Sequence, residues 1–420
     1  MILILVDDIT PRLSYVFNFI FKARGVDYEL TTSVDFFNDS SFRKLNYTEN
    51  KQREATISPA KLLFENKIQK QSISLVKIKE VEYLSFDDVP DIIASIFYVL
   101  TRYEEYTNSN KDEHDRFPFS ESCLKKYGWI EEARCDRWAN QILQLVGEKS
   151  PKNEVKIVPT FDIDNTFAYQ LKTGKQKYLS ILRDVILLNI NRLSDRRKVL
   201  KGEIDPYDTF ATIKKTAQRF PSTKLFWLVG ERAVKDRNIP LSNLEHQALI
   251  RDMDEAAEVN LHPSYASNGE RVAIQKEKKS LEDVLGRKVI NSRQHFLRFQ
   301  LPKTFQSLQK SGFSHEYSMG FAEAVGFRCG TARPHPWFDL SQNEVVKLTI
   351  HPFVYMDGTL NEYMQLSIEE SKTKIQSLYK EVKEYGGDFV FLWHNETIGN
   401  YGKWKGWSEV LDFTLNLSNE

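Results

Sequence analysis

The run Val155-Lys156-Ile157-Val158-Pro159-Thr160-Phe161-Asp162-Ile163-Asp164-Asn165 decides how this chain is read. Its apolar first half reads as a buried strand, and two carboxylates stand at its end. Alternate side chains on a strand share a face, so Asp162 and Asp164 point together while Ile163 points away. Two carboxylates there can divide labour, one holding a metal and the other taking a proton. The plainer reading is a loop start that caps the next helix.

Working outward, three more apolar runs end in polar clusters. Leu261-His262-Pro263-Ser264-Tyr265 closes one, and neutral imidazole is a good ligand for zinc and other transition metals. In Ser292-Arg293-Gln294-His295-Phe296, period two puts Arg293 and His295 on one face. Leu392-Trp393-His394-Asn395-Glu396 follows DFVF, and a histidine there suits general acid–base work near neutral pH. Singly, each has an ordinary reading as a hydrogen-bonded core histidine or a surface ion pair. Four polar clusters at four strand ends point to a site. Helical stretches such as TFQSLQKS and IEESKTKIQSLYKEVKEY separate the β-rich runs. That alternation argues for a parallel α/β sheet or barrel, which carries reactive side chains at the C-terminal strand ends.

The 420 residues suggest two or three domains at about 150 residues each. With 41% hydrophobic and 12% aromatic residues, a disordered chain is excluded. Lys plus Arg and Asp plus Glu both total 58, so nothing global favours nucleic acid as a partner. Cys123, Cys135 and Cys329 form neither a disulfide framework nor a CxxC zinc ribbon, which favours the cytoplasm. MILILVDD reads as a buried first strand rather than a secretory leader, and no segment approaches the ~20 apolar residues of a membrane span. Residues 1–150 read as a smaller N-terminal α/β domain, with a helical stretch DIIASIFYVLTRYEEY and a closing helix from Glu132. Gly147 to Glu154 is the expected linker, and residues 155–420 form the second unit. Leu179, Leu182, Ile186, Ile190 and Leu193 make a helical stripe followed by the basic run Arg196 to Lys198. Such a helix could rest on a membrane surface, and the expectation is an ordinary amphipathic helix facing the core with a solvated end. Trp337, Trp404 and Trp407 could stack on sugar faces, although aromatic residues are more often core.

The order TFDID, LHPSY, RQH, PHPWFD, LWHN resembles the polysaccharide deacetylases of carbohydrate esterase family four, over roughly residues 155 to 420. The resemblance implies a distorted (β/α)₇ barrel that binds a divalent metal and removes acetyl groups from sugars. It assigns Asp162 as general base, Asp164 as metal ligand and His262 as a second ligand. The family's next ligand histidine falls at Ala266, and His295, in place of the family's proline, could supply the missing one. Arg293 takes the base-orienting role and His394 that of general acid. Zinc is the implied ion, with cobalt, nickel or manganese as alternatives. The implied substrate is a sugar or glycan precursor, and a homodimer is left open. Two other readings stand beside it. One is a degenerate barrel that binds glycan or scaffolds a partner. The other is a haloacid-dehalogenase-type phosphatase, because FDIDNT matches D-x-D-x-T.

Overall fold

A computed structural model describes residues 1–50, 54–149, 155–172, 178, 181–182, 185–186 and 190–417. Linker residues 150–154 and Leu179 of the apolar stripe lie outside the described residues. Ile2–Val6 (β1) is buried at every position between Tyr28–Thr31 (β2) and Arg43–Tyr47 (β3), with Ala55–Thr56 (β4) beyond β3. All four run parallel, and a strand so buried on both faces reads as an unbroken apolar run. The helix Pro11–Ile20 follows, capped by the Thr10 hydroxyl on the Leu13 N–H. Ile73–Ile78 (β5), Val81–Phe86 (β6) and Val89–Pro90 (β7) form a small antiparallel sheet.

The single helical stretch expected from Asp91 to Tyr106 is two helices, Ile92–Leu100 and Tyr103–Thr107. Arg102 breaks it with φ 55°. This guanidinium is buried, so it must be paired: it meets Glu104 and Glu105 and donates to the Arg328 carbonyl. Glu105 in turn pairs with Arg328 at 2.8 Å, and one apolar core runs through residues from both halves of the chain.

The second sheet starts with Val155–Ile163 (β8), Lys224–Leu228 (β9), Glu258–His262 (β10), Asn291–Ser292 (β11) and His315–Glu316 (β12). His335–Asp339 (β13), Glu344–Ile350 (β14), Tyr355–Met356 (β15) and Gly387–His394 (β16) complete it. The spatial order is β13-β14-β12-β11-β10-β9-β8-β16-β15, parallel throughout except β13 against β14. The sheet curls strongly. Phe226 on β9 and Tyr317 just past β12 have ring centroids 5.2 Å apart, whereas three strand spacings in a flat sheet would separate them by about 14 Å.

Of the expected distorted (β/α)₇ barrel the curled parallel sheet is present without closure: among the described residues no ladder joins β14 to β15. The chain between them straps the gap instead. His351 N–H donates to the Glu316 carbonyl and Val354 N–H to that of Val390, both at 2.8 Å, while Pro352 has no N–H to offer a ladder. Phe353 fills the interior with Val158, Phe226, Leu297, Tyr317, Met356, Val390 and Leu392. Gly320 makes room for it, since a Cβ there would sit 2.2 Å from the Phe353 ring. The apolar stripe also departs from expectation: Leu182, Ile186 and Ile190 are exposed rather than packed in the core.

Candidate active site

Strand periodicity sorts β8 cleanly. Ile157, Phe161 and Ile163 join the large outer core, and Val158 joins the inner cluster, on the face that also carries Asp162. His394 ends β16 as the register partner of Asp162. His262 ends β10, and Arg293-Gln294-His295 continue from the end of β11. Asp162, Asp164, His262, His295 and His394 thereby line one cleft of about 170 Å³.

Asp164, His262 and His295 each offer one ligand atom, and these lie within 4.8 Å of one another. Asp164 Oδ1 is 3.2 Å from His262 Nε2, and Oδ2 is 3.3 Å from His295 Nε2. Asp164 Oδ1 is buried and makes no hydrogen bond among the described residues. A carboxylate with one orphaned oxygen, facing one imidazole with each oxygen, fits a divalent cation of the zinc, cobalt, nickel or manganese kind. Burial alone would raise Asp164, but His295 and His262 hold it well below the usual carboxylate range. Burial opposes charging of His295, yet Asp164 and Asp236 raise it to about 9. It is therefore protonated at neutral pH, and a metal must displace that proton. Titration calorimetry of the apo protein in buffers of different ionisation enthalpy is expected to show about one proton released per ion at pH 7. Affinity should climb as pH rises toward 9; a pH-independent affinity would contradict this.

Asp162 has different partners. Arg293 Nη1 donates to its Oδ1 at 2.8 Å, and Arg293 Nε donates to the Tyr317 carbonyl at 3.0 Å. The guanidinium also lies 4.4 Å over the Phe226 ring. His394 Nδ1 bonds Asp357 Oδ1 at 2.9 Å, and its Nε2 faces Asp164 Oδ2 at 3.8 Å. Burial would lower His394, but Asp357 and then Asp164 and Asp162 raise it well above the ordinary histidine value. A carboxylate held by arginine and a histidinium held by carboxylate thus share the cleft. Chemically, that arrangement can serve as a base and an acid.

Three residues of the site gave no sequence signal. Asp236 accepts from His295 Nδ1 at 2.8 Å and from the Tyr265 and Ala266 N–H groups at 2.7 and 3.1 Å. Position 266, where the resemblance looks for a second histidine, thus contributes its backbone to the carboxylate that orients His295. Asp357 follows β15 and also accepts the His394 N–H at 2.8 Å. Gln294 lines the cleft, almost wholly buried, with neither amide atom hydrogen-bonded among the described residues. Of the three tryptophans, Trp404 lines the cleft. Trp337 is core, packed on Phe305 at 5.4 Å with its N–H on the Tyr106 hydroxyl. Trp407 is buried against Trp404 at 5.5 Å and does not reach the cleft. Their large apolar surfaces are worth more buried than displayed.

Residues 2–151 match a family of unknown function (DUF7033). None of the curated proteins compared matches the chain. Among solved structures, the chain is similar to a Mycobacterium smegmatis protein assigned as a polysaccharide deacetylase. Identity is 13%, over 64% of this chain and 86% of that one, with a TM-score of 0.41. It is also similar to the polysaccharide deacetylase Bc1974 from Bacillus cereus, at 9% identity over 63% and 88% with a TM-score of 0.30. For Puue allantoinase the values are 11%, 63%, 83% and 0.36. Each is a likeness in fold. No helix among the described residues is long and apolar enough to cross a membrane.

Proposed function

We propose that the chain is a metal-dependent hydrolase that removes an acetyl or similar acyl group from an amino sugar or glycan precursor. We place it in cytoplasmic steps of envelope polysaccharide metabolism, with residues 1–150 as a domain preceding the catalytic 155–420. One observation carries the reading: an Asp/His/His ligand set, an arginine-held carboxylate and a carboxylate-held histidine meet in one cleft.

A divalent ion held by Asp164, His262 and His295 would supply polarisation of the acyl carbonyl and a more acidic water. Asp162 takes the proton of the attacking water and is aimed by Arg293. His394 donates a proton to the departing amine, which is otherwise a very poor leaving group. Asp357 keeps that proton in place on His394. The unpaired Gln294 amide offers a donor and an acceptor to the substrate's own amide, offsetting the cost of its burial. Trp404 offers a ring to a sugar face.

The general test is metal content together with acetate release from an N-acetylated hexosamine. A metal-free protein releasing no acetate, with His394→Ala changing nothing, would leave the glycan-binding scaffold reading. The phosphatase reading gives His262, His295 and His394 no work. It would gain only from phosphate release that a phosphate-mimicking fluoride blocks.

The acid also sets a pH dependence. His394 must be protonated to act, so activity is present below its raised value and lost as pH rises through it. Asp357→Asn removes the main counter-charge, so the alkaline limb of the kcat profile should move to lower pH. An unmoved limb would remove His394 from the acid role.

A further inference from the structure

The backbone just after His295 adopts a conformation that ordinary side chains avoid. Phe296 has φ 60° and Leu297 φ 52°, both in the left-handed region. Two such residues in succession persist only where surrounding contacts over-determine them. Here those contacts come from residues 112–116, far away in sequence. Arg116 Nη1 donates to the Phe296 carbonyl at 3.0 Å, and Arg298 Nε donates to the His114 carbonyl at 3.1 Å. Arg298 also pairs with Asp115. The His114 ring packs on Phe296 at 5.0 Å, and its Nδ1 bonds the Tyr265 hydroxyl at 3.2 Å.

The holding segment is itself rigid. Asp112 accepts the His114 and Arg116 N–H groups at 2.8 and 2.9 Å and Arg116 Nε at 2.6 Å. Arg116 is buried against the turn and lines the cleft. These bonds tie the turn to a segment outside the sheet.

We infer that residues 112–116 are a positioning clamp, in which Arg116 holds the Phe296 turn so that His295 stays aimed at the metal position. The inference rests on His295 being a ligand. In strand-end ligands such as His262, the sheet fixes the backbone. His295 stands three residues beyond the end of β11, where its N–H still donates to the Pro263 carbonyl at 3.1 Å, and the chain that leaves it enters the Phe296 turn directly. Asp236 fixes the ring, the Pro263 carbonyl holds the chain that enters His295, and the clamp holds the chain that leaves it.

The test is the zinc affinity of the full chain, measured by competition with a chelating dye. Arg116→Ala is expected to weaken binding about 10-fold, the scale of losing an outer-shell partner. Arg116→Lys, which keeps a donor in reach, should lose less. In a His295→Ala background the same Arg116→Ala change should have no further effect, because the clamp acts through His295. An equal fall in both backgrounds overturns the inference, as does an unchanged affinity in Arg116→Ala. Should Arg116→Ala fail to fold, Asp115→Asn removes only the exposed ion pair with Arg298 and carries the same expected dependence on His295. No zinc bound by the unaltered protein overturns the ligand assignment itself. Zinc bound tightly by the unaltered protein and by Arg116→Ala alike overturns the clamp alone.

Discussion

Asp162→Asn is expected to cut acetate release by about 10²–10⁴-fold, the range for a lost general base, while leaving bound metal unchanged. The amide keeps the shape of the carboxylate but cannot take a proton from water. It also leaves Arg293, wholly buried, without its counter-charge. Breaking a buried pair from one side costs about 3–5 kcal/mol. The Tyr317 carbonyl and the Phe226 ring remain as partners for the guanidinium, so the lower end is expected. Urea unfolding should show this loss, and metal analysis should show none. Near-normal turnover by Asp162→Asn would take the base role away from this residue.

Asp164→Ala should have an equally large effect by a different route. Asp164 is the sole carboxylate of the ligand set, and its two oxygens face His262 and His295 separately. Without it, two imidazoles remain, and neither brings a negative charge to the divalent ion. Zinc should fall to background after dialysis against a weak chelator, and acetate release should vanish with it. Full zinc occupancy in Asp164→Ala would remove the residue from the set. The Asp162 and Asp164 variants therefore separate base from ligand: both lose activity, but only one loses metal.

The site residues legible in the sequence share a property: they terminate runs whose apolar alternation announces a strand. Asp162, Asp164, His262, Arg293, His295 and His394 all stand at or just past such ends, and the structure brings them together. Asp236 and Asp357 had no such herald. Asp236 lies in an irregular loop 59 residues from the histidine it orients, and a lone aspartate there resembles any solvated turn residue. Asp357 follows a strand of only two residues, too short to leave a period. The same brevity in β11, β12 and β15 hid the way the sheet fails to close. Trp337 misled for another reason: its strand HPWFD is an antiparallel edge whose indole turns inward. Period two says which residues share a face, and it is silent on which face meets solvent.

The pairing of β8 with β16 runs through eight consecutive register partners, from Gly387 with Val155 to His394 with Asp162. The two groups proposed to handle protons therefore occupy the last rung of the longest ladder described in the sheet. Their separation is set by main-chain bonds along β8 and β16, while the loops that shape the rest of the cleft hang from the same rim. Those loops can be lengthened or replaced to admit a different compound without resetting the distance between Asp162 and His394. Diversification of the substrate is thus open to this scaffold at little cost to its chemistry.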